Sequence, residues 1–341
     1  MKNLLLSFII SIFFSLSNIS FAQTIQKPAA LQTGDTVGLV STGFRVLNDL
    51  DAQFAIERLE ALGFNVKVGD AILNQNGYFA GTDAERVKDL HKMFADKEVK
   101  AIFQLRGGFG STRLLNLIDY DLIKKNPKVF MGMSDTTALL LAIHAKTGLV
   151  TFHGPNAGRP WPKFALNYID SVLFKSELTT FINPINRGDD LIQTKDRIQT
   201  ITSGVASGPL LGGNLVVLAS MMGSDYLPKW DNAILFIEDI GEDPYKIDRT
   251  LTQLKLAGVL DKISGFIFGK CNDCVPTTQG STYGSFHLMQ VLNDHIKPLN
   301  IPAYYGAMIG HDTRIFTIPI GIKAQMDAST GTLVLQETAV Q

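Results

Sequence analysis

Cysteine is nearly absent: the 341 residues contain two, both within Cys271-Asn272-Asp273-Cys274. A disulfide scaffold is therefore excluded, and stability has to come from a buried core. The pair itself reads as a redox pair, half a zinc site or a local disulfide. A reactive pair normally opens a helix, whereas this one runs into Val275-Pro276 and a Thr/Gly/Ser loop with no second ligand pair evident. A structural disulfide or two idle thiols is the favoured reading. Charge of one sign is missing too: 31 Lys and Arg against 32 Asp and Glu leave a formal net charge of -1. Such a chain has no basic field for nucleic acid or an anionic membrane. Fixed-period repeats are also lacking, and so is a membrane-length apolar run. The apolar stretch Leu4 to Phe14 follows Lys2 and precedes Ser20-Phe21-Ala22, the pattern of an export signal over 1–22 with a small-x-small cleavage site. No cysteine follows that site, so a lipid anchor is not expected. Removing 22 of the 341 residues, Lys2 among them, leaves 319 and takes the charge from -1 to -2. The expectation is a protein without a membrane anchor, periplasmic or secreted.

What is present is alternation. Thr36 to Val40 reads as a first strand, Asp51 to Leu62 as a helix with Phe54, Ile56, Leu59 and Leu62 along one stripe, and Phe64 to Val68 as a strand. Thr82-Asp83-Ala84-Glu85 is a capping box opening a helix to about Asp96, with Val87, Leu90 and Phe94 on one face. Strands follow at Val99 to Leu105, Val129 to Met133 and Leu149 to His153. This order predicts an α/β domain over 30–155 with a parallel sheet, whose ligands gather at the carboxyl ends of the strands. Residues 156–195, with Arg159-Pro160-Trp161-Pro162, read as a linker. Residues 196–341 read as a second, β-rich α/β domain. Its expected strands include Ala233 to Ile237, Ile263 to Phe268, Ala303 to Ile309, Thr317 to Gln325 and Thr332 to Gln336.

The chemistry-bearing stretch is Met131-Gly132-Met133-Ser134-Asp135-Thr136-Thr137. An apolar strand turning through one small residue into a helix lifts that side chain out of the sheet and aims free helix N–H groups at a ligand. This is the geometry of a nucleophile elbow, although Thr136 stands where the last glycine of G-x-S-x-G belongs. The alternative is a serine that only caps the helix. Arg106-Gly107-Gly108-Phe109-Gly110 follows a strand at the same sheet edge. Three glycines in four residues let the backbone turn N–H groups toward a carboxylate or an oxyanion, or else simply make a tight turn. No lysine follows in register for a phosphate loop.

A serine needs a base and a group to hold that base. His91, His144 and His295 fall in predicted helices and His287 opens one. His153 ends a strand near the crevice, and His311 ends an apolar strand beside Gly310, which suits a loop-borne base. For the acid, Ala233 to Ile237 runs into Glu238-Asp239 and then Glu242-Asp243, and pattern leaves all four open.

Taken together, Arg106 to Gly110, Gly132-x-Ser134-Asp135, Gly212-Gly213-Asn214-Leu215, Phe236-Ile237-Glu238-Asp239 with Pro244 to Arg249, and Gly310-His311 resemble the LD-carboxypeptidase family of serine peptidases, which includes microcin immunity proteins. The likeness runs in consistent order from Val37 to the C-terminus. It implies Ser134 as nucleophile, His311 as general base and then acid, and Glu238 as the orienting carboxylate. It also implies an oxyanion hole from backbone N–H groups of Gly107 or Gly108 with Asp135. The active site would lie at the domain junction. The implied reaction removes D-alanine from murein tetrapeptides by cutting an L-centre to D-residue bond, with no metal or cofactor, and a homodimer is common in the family. Arg106 would clamp the terminal carboxylate or hold its own loop. Two other readings remain. One is hydrolysis of peptide-nucleotide antibiotics, which the export signal counts against; the other is an exported muropeptide-binding protein without catalysis.

Overall fold

The computed structural model describes residues 24–185, 187–277 and 284–341, and the expected export signal lies outside them. From its start the described chain alternates strand and helix. Strand β1 (Thr36–Val40) leads to helix α1 (Asp49–Ala61), β2 (Asn65–Val68), α2 (Asp83–Ala95), β3 (Val99–Gln104), α3 (Tyr120–Lys125), β4 (Val129–Gly132), α4 (Thr137–Thr147) and β5 (Thr151–His153). Local signals explain the starts. Asn48 caps α1 through its side chain, and Thr82 and Glu85 form the reciprocal capping box of α2. Val87, Leu90 and Phe94 are buried as their spacing predicts. In α1 the inward stripe is Ala52, Ala55 and Leu59, while Phe54 is half exposed. Small residues let that helix lie close to the sheet, and this decides its orientation over bulk hydrophobicity.

The segment read as a linker is structured. It holds α5 (Lys163–Ile169), continued as a π-helical turn at Asp170–Phe174, and β6 (Thr180–Phe181). Pro160 and Pro162 stand before α5 and Pro184 lies beyond β6, and Phe164, Tyr168, Phe181 and Phe316 pack their rings together, so aromatic burial overrides the loop-like composition. The second unit then runs β7 (Gln199–Thr202), β8 (Val205–Asn214), α6 (Leu215–Ser220), β9 (Ile234–Ile240), α7 (Pro244–Leu256), β10 (Gly265–Asn272), α8 (Leu288–Ile296) and β11 (Ala303–Ala307). It ends with β12 (Ile318–Ile320), β13 (Lys323–Asp327) and β14 (Thr332–Leu335). Cys271 and Cys274 form a disulfide at the end of β10.

The first sheet has the order β12-β5-β4-β3-β1-β2 and is parallel except for β12; the second runs β6-β14-β13-β8-β9-β10-β11-β7, with β8 to β11 parallel. The single strand expected over Thr317 to Gln325 is two strands in two sheets. Ile318–Ile320 closes the edge of β5, the chain turns at Gly321, and Lys323–Asp327 pairs with β8. The β6 strand in turn pairs with β14. The second unit therefore lends β12 to the first sheet, and the segment between the units lends β6 to the second. Helix α4, buried on nearly every residue, packs between them.

Candidate active site

Ser134 leaves β4 through a tight 3-10 turn, Ser134–Thr136, before α4. Its φ is +62°, a left-handed conformation that a side chain with a Cβ adopts at the expense of strain. The capping alternative does not hold: Met133 occupies the cap position without a side-chain bond, and the Ser134 hydroxyl makes no hydrogen bond to any described residue. The turn is instead braced from outside. Buried Asn156 accepts from Met133 N at 3.1 Å, and buried Asp135 accepts from Ser111 N at 2.9 Å, tying the elbow to the end of the glycine loop. Burial raises the Asp135 carboxyl above its usual range, against the opposing bond from Ser111.

The glycine loop lies directly on the serine. A Cβ on Gly107 would sit 2.9 Å from the Cβ of Ser134 and 3.2 Å from its Oγ, so only glycine permits this approach. The N–H groups of Gly107 and Gly108 donate to no backbone group of the described residues, while Gly107 O accepts from Phe44 N. Arg106 lies over the Phe44 ring, its Cζ 5.2 Å from the centroid, and takes no part in an ion pair among the described residues.

Glu238, in β9, is completely buried, and its Oε2 meets His311 Nδ1 at 2.8 Å. Burial pushes this carboxyl up, but the hydrogen bond and charge of His311 outweigh it, and the net shift is downward. Gly310 makes the contact possible: its φ is +127°, and a Cβ there would lie 2.7 Å from Lys270 O and 3.2 Å from Glu238 Oε2. The loop is pinned further along. Lys270 pairs with both Asp196, at 2.7 Å, and Asp312, and Arg314 pairs with Asp196 at 2.5 Å.

The other candidates have other uses. Asp239 accepts from Asn214 Nδ2, Val216 N and Ile240 N, Glu242 pairs with Lys246, and Asp243 holds Thr277. His91 accepts from Asp119 N, His144 bonds Leu149 O, and His295 pairs with Asp248. His153 is fully buried behind the site.

Ser134, His311, Arg106, Gly107 and Gly108 line one cavity of about 360 Å³ together with Asn156 and Arg159. Those last two were missed in the sequence because they sit in the stretch that reads as a linker. Arg159 donates from Nη2 to His311 O at 2.7 Å, so one cationic side chain from the segment between the units holds the loop of the second. The available signal was Arg159 amid small and proline residues just past a strand end. The arrangement brings a hydroxyl on a strained corner, an imidazole fixed by a buried carboxylate, and free backbone N–H groups to one hollow. That is equipment for acyl transfer.

Two domain models match this chain: the LD-carboxypeptidase N-terminal domain over residues 37–154 and the LD-carboxypeptidase C-terminal domain over 207–326. The chain belongs to the LD-carboxypeptidase family. A "Probable murein peptide carboxypeptidase" of Bacillus subtilis is 40% identical over 316 residues, spanning 91% of this chain and 94% of that protein. The microcin C7 self-immunity protein MccF of Escherichia coli is 31% identical over 334 residues, covering 91% of this chain and 95% of its own length. Among solved structures, MccF in its apo state superposes with a TM-score of 0.82 at 29% identity, covering 93% of this chain and all of that one. A muramoyltetrapeptide carboxypeptidase from Oxalobacter formigenes gives 0.74 at 28% identity, covering 89% and 99%. The two-domain α/β architecture is that of the family.

Proposed function

We propose that this family member is a serine carboxypeptidase that cuts the bond between an L-centre and D-alanine at the C-terminus of murein tetrapeptides. The observation that carries the reading is the His311–Glu238 hydrogen bond of 2.8 Å, with His311 lining the same cavity as Ser134. In this reading Glu238 fixes the imidazole by its Nδ1–H, and Nε2 takes the proton of Ser134 as Oγ attacks the substrate carbonyl. The developing oxyanion meets N–H groups of Gly107 or Gly108 and of Asp135, already oriented before reaction. His311 then protonates the departing amine, and water, activated by the same imidazole, releases the acyl group. Arg106 receives the terminal carboxylate, an arrangement consistent with its lack of an ion partner.

The test is release of D-alanine from a purified tetrapeptide. Ser134→Ala should lower the rate by roughly 10⁴-fold or more with the fold retained; an unchanged rate would end the assignment. A second reading, hydrolysis of a peptide-nucleotide amide, draws on the likeness to MccF at a TM-score of 0.82. Assay of both substrate classes with one preparation separates them. In this reading the murein reaction takes place in the periplasm or outside the cell, a proposal that draws on the export pattern over 1–22 and that fractionation of the native host checks.

A further inference from the structure

Behind the triad lies a polar site the mechanism leaves unused. His153, the last residue of β5, is wholly buried, and neither ring nitrogen has a hydrogen-bond partner. Its ring stands edge-on to Phe236, 5.6 Å between centroids and 73° between planes. Phe236 and Glu238 are two apart on β9, so their side chains leave the same face and Glu238 is the next group along from that ring. The second carboxylate oxygen of Glu238, Oε1, is buried without a hydrogen-bond partner at normal distance, while the side chain of Asn214 lies near enough to help keep the carboxyl ionised. Also buried without a partner is the hydroxyl of Thr317, which precedes the residue paired with His153 and lies 3.3 Å from where a Cβ on Gly154 would stand. His153 and Glu238 are near enough for each to act on the other's charge, and Thr317 stands beside Gly154, the next residue after His153. Buried polar atoms are rarely left alone in native proteins, and neighbouring ones without partners mark the place of an internal water, which typically makes about three hydrogen bonds.

We propose that His153 is a positioning residue for the triad, a neutral imidazole that holds Glu238 Oε1 through one internal water shared with Thr317 Oγ1. The carboxylate would then be fixed at both oxygens, by His311 on Oε2 and through His153 on Oε1, so that it can neither rotate away nor gather a proton. Burial drives the His153 imidazole down to about 4, which leaves it neutral with one donor and one acceptor at working pH. The charged or titratable groups facing it are Glu238 and His311; β4 and β12, the strands paired with β5, present apolar residues and glycine, and α4, packed on β5, carries the buried His144, bonded to Leu149 O, and the exposed Lys146. This inference rests on the Ser134–His311–Glu238 reading above.

The experiment compares wild type, Ser134→Ala, His153→Phe and His153→Gln on the tetrapeptide, reading kcat, KM and the pH profile. His153→Phe should lose roughly ten-fold or more in kcat with KM unchanged. The acid limb of its profile should move to higher pH, because a less solvated carboxylate draws the proton of His311 more strongly. His153→Gln, which keeps a donor, should recover most of the rate. A His153→Phe enzyme with wild-type kcat and profile overturns the proposal, and so does an equal loss in both His153 variants with the profile unmoved. If Ser134→Ala is as active as wild type, the triad reading fails instead. Independent of activity, a crystal structure that orders internal solvent should show a water about 2.7–3.2 Å from both His153 and Glu238 Oε1; clear density without one overturns the proposal.

Discussion

Ser134 holds its left-handed backbone conformation against the preference of every residue with a Cβ, and the surrounding bonds from Asn156 and Asp135 over-determine it. Removing the hydroxyl and removing the strain are separable. Ser134→Ala keeps the Cβ and the strain, whereas Ser134→Gly loses both. The glycine variant should therefore be more stable than the alanine variant by up to about 1 kcal/mol in denaturant titration, with both inactive. Equal midpoints would mean the corner is unstrained. At this scale the sequence was legible where backbone chemistry is local: a serine between strand and helix, and glycines against it. It was opaque for Asn156 and Arg159, whose roles depend on a chain path that no local pattern encodes.

At the scale of elements, β9 delivers two adjacent acids to opposite duties. Glu238 faces His311, and Asp239 faces the start of α6, where it accepts from Val216 N and from Asn214 Nδ2. Burial, with the neighbouring charge of Glu238, lifts the Asp239 carboxyl to about 6 against those hydrogen bonds. Its unfolded value is about 3.9, so between those two pH values the folded chain holds the proton more tightly than the unfolded chain does. The contribution of Asp239 to stability is thus fully present below about pH 4 and is lost as pH rises through about 6, a swing of about 3 kcal/mol. Asp239→Asn, which does not titrate, should lack that swing. Unfolding free energies of the two proteins, measured from pH 4 to 7, should shift in favour of the variant as pH rises; parallel curves would refute the assignment. The period-two alternation of β9 predicts that Glu238 and Asp239 point to opposite faces. Which face meets a histidine follows only from the β8-β9-β10 pairing, and hence four acids stayed open in the sequence.

At the scale of the whole molecule, the candidate site draws its residues from both units. Ser134 and Arg106 come from the first, Arg159 from the segment between them, Glu238 and His311 from the second, and the units are joined by β12 on the edge of β5 and by Asn214 N donating to Thr137 Oγ1, with β6 of the segment between them on β14. The sequence marked two units but not this exchange, because a three-residue strand such as β12 carries no periodicity of its own and looks like part of the strand after it. The exchange has a testable consequence. Asp189 and Asp190 lie on the surface in an exposed stretch, so a break between them severs the chain in a local turn, across the bond from Asp190 N to Arg187 O, and leaves the buried core intact. Fragments 24–189 and 190–341 expressed apart should each be inactive, since each exposes an unpaired edge and part of the triad. Produced together, they should associate through the exchanged strands and restore tetrapeptide cleavage, with a dependence on concentration that the intact chain does not show. Activity in the first fragment alone would mean that Ser134 works without His311, and the site would have to be sought within one unit.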